Sequence, residues 1–307
     1  MTASPTFPSQ RDTLPAASRE TRETSERGHM GRLRGAGRRL LPTVLGALLL
    51  VGCAGTRAIS AKERDQAAIQ YDLGVEALRV CDARTALEHF QQAVRTDPEL
   101  DVAHAALGLT YHISFADPLK AIAHYRKSLE LKPKSPEVNC NLANVYLDLG
   151  RYDEAIALYE KALEDILYKT PFIAENNLGW CHYKRGNVEK GIDHIRTAII
   201  ANPRFCLGYR NLGIIHAEQG DAAKAAENFG LYAKHCPDSP DAQFRLGVAL
   251  LKTGEKAGAR EAFEKCATPI PEADGDRGAG LSKGCRQVQD RALLEECRRY
   301  RQLMAAE

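Results

Sequence analysis

Apolar and small residues recur along the chain with a period of about 34 residues. In each period a leucine precedes glycine or alanine, and a turn separates this pair from a second stripe of small, aromatic and small residues at helical spacing, as in Ala155, Tyr159 and Ala162. The six pairs are Leu73-Gly74, Leu107-Gly108, Leu142-Ala143, Leu178-Gly179, Leu212-Gly213 and Leu246-Gly247. The pattern predicts an all-α chain of stacked helix-turn-helix hairpins.

Small residues and turn signals explain how each hairpin would form. Glycine or alanine beside the leucine allows two helix backbones to approach closely, and the aromatic residue of the second helix fills the space between hairpins. Gly150 stands where a positive backbone φ angle would end a first helix. Four units close with a proline, and these prolines are Pro98, Pro133, Pro203 and Pro237.

This order of Leu-Gly, aromatic, alanine and proline positions resembles the tetratricopeptide repeat. The resemblance implies a right-handed α-solenoid of six helix-turn-helix repeats. Some units depart from the pattern: the turn from Ser114 to Pro118 has an extra residue and no glycine, the third unit is stretched from Asp165 to Pro171, and Gly191 replaces the usual alanine. We expect the repeats to span residues 67–100, 101–135, 136–171, 172–205, 206–239 and 240–267.

The region after the sixth unit is predicted to cover the end of the solenoid. Residues 268–285 are rich in proline, glycine and aspartate and are expected to form a loop. Residues 286–304 carry apolar side chains along one face of a charged helix. Since a solenoid needs a polar-backed cap over its last apolar face, we interpret this segment as a C-terminal capping helix. The alternative is a separate helix that binds a partner.

The N-terminal region has the order of a secretory signal. Residues 1–29 are polar and are expected to be a disordered leader or to reflect a mis-assigned start, with Met30 as the true first residue. Arginines after Met30 precede an apolar run from Leu40 to Val51. This run of about 12 residues is too short for a membrane-spanning helix. We therefore predict a signal peptide over residues 30–52.

The predicted signal ends in a Leu-Val-Gly-Cys sequence at Cys53, which resembles a bacterial lipobox. The resemblance implies a lipoprotein whose Cys53 thiol carries lipid, with palmitate among its acyl chains, and a lipidated tether over residues 53–66. Ala54, where aspartate would indicate inner-membrane retention, implies an outer-membrane anchor with the repeat domain in the periplasm. Several acyl chains on one cysteine would anchor the protein stably. The alternative is a cysteine that follows an ordinary signal by coincidence.

The charge balance argues against a nucleic-acid partner. The chain has 42 basic and 40 acidic residues, and positions 1–52 hold 8 and 4 of them. The remainder therefore has 34 basic and 36 acidic residues, a net charge of −2. Binding to nucleic acid would need a strong basic excess or a basic stripe, and neither is present.

The cysteine count favours disulfide bonds. Nine cysteines are present, and an even number is left once the predicted lipidation site is removed, as expected in an oxidising compartment. Cys206 and Cys236 lie at ends of an antiparallel hairpin that should be neighbours, so we predict a disulfide between them. A second is expected from Cys266 or Cys285 to Cys297. Three cysteines are left with bridging or simple burial as alternatives, namely Cys81, Cys140 and Cys181.

Few residues of the sequence suggest a metal, cofactor or catalytic site. There is no Cys-x-x-Cys motif and no pair of histidines at ligand spacing, so neither a metal nor another cofactor is expected. The histidines are scattered over different units, and no Ser/His/Asp or paired-carboxylate arrangement shares an identifiable pocket. We therefore expect a protein that is not an enzyme and has no small-molecule substrate.

Repeats of this kind bind partners along the wall built by their first helices. Many positions on that wall are apolar in this chain, so we predict a groove for an apolar peptide segment. The alternative is a tight superhelix that buries the same residues as core; the groove is favoured in the first two units and around Trp180. The predicted groove residues are Tyr71, Val75, Leu78, Val102, Leu109, Asn144, Asn176, Trp180, Tyr183 and Arg210.

Six such repeats behind a lipobox resemble the type IV pilus pilotins, and among them the six-repeat member that myxobacteria need for social gliding motility. The resemblance implies a lipid-anchored protein, expected to be monomeric, that binds the outer-membrane secretin of the type IV pilus. It would promote secretin assembly and multimerisation and so enable pilus extension and pilus-dependent motility. The alternatives are a general scaffold lipoprotein for outer-membrane protein assembly or for murein enzymes, and an enzyme with a cryptic site.

Overall fold

The computed structural model describes residues 58–267 and 290–305. Over these residues it forms thirteen α-helices and no strand, and none of the helices is both long and apolar enough to cross a membrane. The helices are α1 (Ala61–Arg79), α2 (Ala83–Thr96), α3 (Asp101–Ile113), α4 (Pro118–Leu131), α5 (Pro136–Asp148), α6 (Tyr152–Leu163), α7 (Pro171–Lys184), α8 (Val188–Ala201), α9 (Cys206–Glu218), α10 (Ala222–His235), α11 (Pro240–Thr253), α12 (Lys256–Ala267) and α13 (Asp290–Ala305).

Consecutive helices pair into six hairpins, from α1 with α2 to α11 with α12, and each hairpin packs on the next. The prediction of an all-α solenoid of helix-turn-helix repeats is therefore confirmed. The aromatic residues of the second-helix stripe, such as Phe90, Tyr125 and Tyr159, are fully buried. One apolar core runs from Ala77 of the first hairpin to Ala249 of the sixth, and Phe263 of α12 packs in a separate cluster with Met304 of α13.

The turns inside the hairpins reverse the chain through left-handed residues. Gly150 has φ 71°, as its position in the sequence predicts. In the first two hairpins the corresponding conformation falls on Cys81 at φ 63° and on Ala116 at φ 49°. The second hairpin therefore turns without the glycine that its sequence lacks.

Some pairs of helices approach closely at glycine residues, which have no side chain. A Cβ atom added at Gly108 would lie 2.7 Å from the Tyr125 ring. In the fourth hairpin, a Cβ at Gly179 would lie 2.6 Å from the carbonyl oxygen of Gly191, and a Cβ at Gly191 would lie 2.8 Å from that of Gly179. Because Ile195 takes the place of the usual aromatic residue, α7 and α8 meet backbone to backbone, which explains the unusual glycine at position 191.

The first helix begins earlier than the sequence analysis placed it. A tether was predicted through residue 66, but α1 begins at Ala61. The Ser60 hydroxyl accepts a hydrogen bond from the Glu63 backbone N–H at 3.2 Å, and the Glu63 carboxylate accepts one from the Ser60 backbone N–H at 2.8 Å. This capping box satisfies two backbone donors and starts the helix at this point.

Helix α13 covers the end of the solenoid. Its Tyr300 ring stacks on Phe263 of α12 with 4.8 Å between centroids and meets Phe244 of α11 edge-on at 5.6 Å. A disulfide joins Cys266 of α12 to Cys297 of α13, with 5.7 Å between their Cα atoms. These contacts place α13 as a cap. The loop predicted over residues 268–285 and the first residues of the predicted cap, 286–289, lie outside the described residues.

The remaining cysteines have different environments. A second disulfide joins Cys206 to Cys236, with 5.9 Å between Cα atoms, and ties the start of α9 to the end of α10. Cys81 is disulfide-bonded as well, whereas Cys140 and Cys181 are free and buried. Burial raises the pKa of the Cys140 thiol to about 11 and that of Cys181 to about 12, so both stay protonated and unreactive at neutral pH. The cysteines outside the described residues are Cys53 and Cys285.

Candidate functional site

The ten predicted groove residues lie on the surface formed by the first helices of the hairpins, which we call the inner wall. It has an N-terminal section on α1 and α3, a central section on α5 and α7, and a C-terminal section on α9 and α11. The structure places the predicted residues in three different environments, one for each section. The wall is therefore not a uniform groove.

The N-terminal section is apolar and partly accessible. All five of its predicted residues are half-buried. Most of them pack against the edge of the core, and the Tyr71 ring lies 5.8 Å from that of Phe90. Part of each side chain is open to a partner, as a binding groove requires. The five residues are Tyr71, Val75, Leu78, Val102 and Leu109.

The central section is closed, and the predicted groove around Trp180 is wrong. Asn144 is 2% exposed, Asn176 1% and Trp180 5%. The first helices α5, α7 and α9 touch one another, so no gap opens between them. Tyr183 is half-buried and donates a hydrogen bond to the Glu218 carboxylate of α9. In this section the alternative of a tight superhelix applies.

The central asparagines form a hydrogen-bonded chain, which we call the asparagine ladder. Asn211 Nδ2 donates to Asn176 Oδ1, Asn176 Nδ2 donates to Asn177 Oδ1, and Asn177 Nδ2 donates to Asn144 Oδ1, each at 2.9 Å. The Tyr159 hydroxyl also donates to Asn144 Oδ1, and burial raises the pKa of Tyr159 so that it keeps its proton. The ladder links α5, α7 and α9 and fixes their register, because each amide has one geometry that satisfies its neighbours.

Arg210 was predicted to face a partner but is committed to an internal ion network. It is buried, and its Nε donates to Asp241 Oδ2 at 3.1 Å. Asp241 also accepts from Arg245 Nε at 2.8 Å and from the Tyr232 hydroxyl at 3.2 Å. Arg210 therefore ties α9 to α11 rather than lining a groove.

Sequence reasoning did not identify a pocket in the C-terminal section. The pocket has a volume of about 260 Å³ and lies between α9 and α11, with α10 beneath it. Its position depends on how the fifth and sixth hairpins are spaced, and no single motif encodes that spacing. The sequence signal that was available is the apolar character of the first-helix positions at its rim. Its lining includes Ile214, Phe229, Phe244, Val248, Ala249 and Lys252.

Four of the histidines in the described residues form two pairs. His104 and His124 face each other with 3.2 Å between their Nδ1 atoms, and the His182 and His194 rings stack with 5.4 Å between centroids. Within residues 58–267 and 290–305 no group of three or more His, Cys, Asp or Glu side chains is placed to hold a metal ion.

Acid is expected to destabilise the solenoid through its buried histidines. Burial lowers the pKa of His182 to about 4, and neither ring nitrogen has a hydrogen-bond partner among the residues that the structure describes. Since the unfolded pKa is about 6.5, the unfolded state binds more protons between these values, and the free energy of unfolding falls as the pH drops from about 6.5 towards 4. His182→Phe should weaken this dependence, measured by urea unfolding at neutral pH and near pH 5. An unchanged dependence would contradict this assignment. The pKa values of His104, His124 and His216 are lowered too, so part of the dependence will persist.

Comparison with known families finds the tetratricopeptide repeat in two parts of the chain. Residues 136–164 match one form of the repeat, and residues 176–233 and 210–274 match another. These segments cover the third hairpin and most of the fourth to sixth. The described hairpins therefore form a solenoid of tetratricopeptide repeats.

Curated relatives include proteins of very different size. Superkiller complex protein 3 of Mus musculus is 25% identical over 193 residues, which are 61% of this chain but 12% of that protein. Type IV pilus assembly protein PilF of Pseudomonas aeruginosa is 30% identical over 119 residues, 38% of this chain and 47% of that protein. The chain thus spans about a tenth of the former and about half of the latter.

Solved structures of similar size match more fully. The crystal structure of PilW, described as a widely conserved type IV pilus biogenesis factor, has a TM-score of 0.61 and 25% sequence identity, and the match covers 68% of this chain and 95% of PilW. The Pseudomonas aeruginosa PilF structure has a TM-score of 0.59 and 17% identity, covering 69% of this chain and 95% of PilF. The chain thus carries tetratricopeptide repeats over residues 136–164 and 176–274, and its fold is similar to those of type IV pilus biogenesis proteins.

Proposed function

We propose that this tetratricopeptide-repeat protein is a pilotin, a non-enzymatic lipoprotein that promotes assembly and multimerisation of the type IV pilus secretin in the outer membrane. The observation that carries the proposal is the similarity to PilW, which extends over 95% of PilW at 25% identity. The much larger superkiller complex protein shares only a local stretch of repeats. The finer assignment is to a pilotin of the same type as Tgl, the six-repeat myxobacterial protein of social gliding motility.

The N-terminal section of the inner wall is the proposed contact for the secretin. Its side chains are apolar and half-buried, so a partner can complete their burial at little cost in rearrangement. A secretin subunit exposes unpaired strand edges and apolar surface until the subunits close into a barrel. The wall would shield such a segment and release it when neighbouring subunits compete for the same surface.

The proposed anchor is lipid on Cys53, which lies outside the described residues. An outer-membrane anchor would hold the repeat domain in the periplasm, where secretin subunits arrive. Metabolic labelling with radioactive palmitate, followed by membrane fractionation, tests this step. Wild-type protein should carry label in the outer-membrane fraction and Cys53→Ser should carry none; label retained by the variant would refute the assignment.

Deletion of the protein should abolish heat- and detergent-resistant secretin multimers while other outer-membrane β-barrels persist. An immunoblot for the secretin measures the first effect, and the total barrel content of the outer membrane provides the control. Intact multimers would refute the pilotin function. A broad loss of barrels would instead favour a general outer-membrane assembly scaffold.

The double variant Val75→Asp with Leu109→Asp should weaken secretin binding at least about tenfold, because two carboxylates would have to be desolvated in an apolar contact. Binding of purified protein to the secretin periplasmic region measures the effect. Leu119→Asp is the matched control, since Leu119 is 77% exposed and lies on α4, away from the inner wall. Circular dichroism must show unchanged helicity; a parallel loss of helicity would mean that these residues serve the core.

A further inference from the structure

The turns that connect successive hairpins lie at one edge of the solenoid, since each antiparallel hairpin returns the chain to the side on which it entered. We call this the inter-hairpin edge. Its three central turns span residues 132–135, 164–170 and 202–205. The residue that caps the start of α1, Ser60, lies at the same edge.

The central turns are neighbours in space. Phe172, which follows the second of them, meets Phe205 of the third with 5.0 Å between ring centroids. Tyr168 anchors the second turn in the core. The Tyr168 hydroxyl lies near Cys140 and Glu137 of α5, and burial together with these neighbours raises its pKa. The second turn therefore lies against α5, the helix that follows the first turn. The three turns therefore form one continuous strip.

This strip presents the most exposed large apolar side chains of the described residues. Ile166 is 95% exposed, Leu167 81%, and Ile200, at the end of α8, 80%. The stretched third unit holds the first two outward: the Asp165 carboxylate accepts a hydrogen bond from the Leu167 backbone N–H at 2.9 Å, and the Asp165 carbonyl accepts one from Tyr168 at 3.0 Å. Adjacent aliphatic side chains held in water by an ordered turn mark an interaction surface.

Four cations lie in the three central turns. All four are exposed, and none forms an ion pair with another described residue. The acidic residues of the same turns are Glu164 and Asp165, and Asp165 is engaged in its own turn. The strip therefore has an excess of positive charge in a chain that is otherwise balanced. The cations are Lys132, Lys134, Lys169 and Arg204.

The opposite edge, where the helices of each hairpin are joined, differs in charge. Several of its cations are paired with carboxylates at the starts of second helices, as in Lys120 with Asp117 at 3.1 Å and Lys224 with Asp221 at 2.8 Å. The outer turns of the inter-hairpin edge are acidic instead, with Asp97 and Glu99 before α3 and Asp238 before α11. Unpaired cations beside exposed aliphatic residues are thus concentrated in the central strip.

We propose that this strip docks on the surface of a bilayer that contains anionic phospholipids. Ile166, Leu167 and Ile200 enter the boundary between headgroups and acyl chains, and the four cations contact lipid phosphates. Aliphatic residues flanked by lysine and arginine suit this interface because burial of the apolar tips and attraction to the anionic surface act together. A protein partner would need carboxylates that match these cations and a pocket for the apolar tips, whereas a bilayer with anionic lipids offers both an apolar interior and negative charge along its whole surface.

Docking at this edge is compatible with an N-terminal lipid anchor but does not require one. Because α1 starts at the inter-hairpin edge, an anchor just before it would hold the strip towards the membrane. The inner wall lies on a different side of the hairpins and would stay open to a periplasmic partner. Docking would therefore orient the solenoid on the membrane and leave its inner wall unoccupied.

Hydrogen–deuterium exchange on the full chain tests the proposal. The chain is reconstituted into vesicles of phosphatidylcholine alone and into phosphatidylcholine vesicles that contain phosphatidylglycerol, with no secretin present. In the anionic vesicles we expect amides of residues 164–170 and 201–205 to exchange at least about fivefold more slowly, because even one lysine at an anionic surface shifts the docking equilibrium about fivefold towards the bound state. Residues 114–119, on the opposite edge, should exchange equally in both.

Two double variants separate the apolar and electrostatic parts. The first double variant combines Ile166→Asp with Leu167→Asp, and the second combines Lys134→Glu with Lys169→Glu. Each should remove the slower amide exchange that the wild type shows in anionic vesicles. Leu119→Asp and Lys190→Glu are the matched controls, since they change the same kinds of exposed residue near the opposite edge, and they should keep it. All the substituted residues are exposed, so circular dichroism should show full helicity in every variant.

Equal exchange in neutral and anionic vesicles would overturn the proposal. Protection that appears only after outer-membrane proteins are added to the vesicles would also overturn it and would make the strip a protein-docking surface. Because no secretin is present, the result is independent of the proposed pilotin function, which the multimer immunoblot tests separately.

Discussion

Replacing Gly179 with leucine is expected to destabilise the solenoid by about 3 kcal/mol, since overpacking of a close contact costs this much when the backbone must move. A Cβ atom at this position would lie 2.6 Å from the Gly191 carbonyl oxygen, 2.8 Å from an Ile195 side-chain carbon and 3.0 Å from the Ile195 nitrogen. Two of these three neighbours are backbone atoms, which cannot rotate away. Helices α7 and α8 would have to separate along their length.

The measurement is urea unfolding followed by circular dichroism, with Gly230→Ala as the matched control. Gly230 lies inside α10, and a Cβ atom there meets nothing within 4 Å. The control should gain about 0.5–1 kcal/mol, because alanine loses less backbone entropy than glycine in a helix. If Gly179→Leu unfolded at the same urea concentration as the wild type, the backbone contact between α7 and α8 would not be a constraint.

Replacing Asn177 with leucine is expected to cost about 2–3 kcal/mol, because a buried polar group then lacks its hydrogen-bond partner. Asn176 donates its amide N–H to Asn177 Oδ1 at 2.9 Å and is 1% exposed, so water cannot substitute. Asn144 loses the Asn177 donor but keeps the Tyr159 hydroxyl. The ladder would be cut between α5 and α7, which is where it sets the register of the third and fourth hairpins.

Asn228→Ala is the matched control for the ladder. Asn228 also donates from its amide, to the Lys224 carbonyl at 2.8 Å, but at an exposed position within one helix. Its loss should change the free energy of unfolding by less than about 0.5 kcal/mol. Hydrogen exchange should show faster opening of α5 and α7 in Asn177→Leu alone. A variant as stable as wild type would mean that relaxed neighbours satisfy the freed amide.

Gly179 and Asn177 show which features of the fold the repeat pattern predicts and which it does not. The period of about 34 residues predicts the hairpins, the small residues at their contacts and the buried aromatic stripe, because each depends on neighbours within one or two turns of helix. Gly191 was recognised as a departure, but its partner was not. The contact with Gly179 arises because Ile195 is smaller than the aromatic it replaces, and that consequence requires both helices in place.

On the inner wall, by contrast, the repeat pattern does not predict which residues are accessible. First-helix positions identify which residues face the wall, yet Val75 and Leu109 stay accessible while Trp180 and Asn144 are buried. The difference depends on the distance between neighbouring first helices, which is the sum of many small contacts along the solenoid. No residue near Trp180 in the sequence indicates how far apart the neighbouring first helices lie. The bulky, apolar nature of the side chain fits a groove and a core equally well.

The repeat pattern of the sequence was enough to predict the class of fold, the number of hairpins, the positions of their turns and the apolar character of the inner wall, since these follow from local periodicity and backbone preferences. The asparagine ladder, the pairing of Arg210 with Asp241 and the central strip of the inter-hairpin edge became evident only in the folded chain. Each of these depends on residues about 30 or more positions apart or on which side chains are left without a neighbour. Such properties are set by the packing of hairpin on hairpin, because burial and pairing are decided in space rather than along the chain.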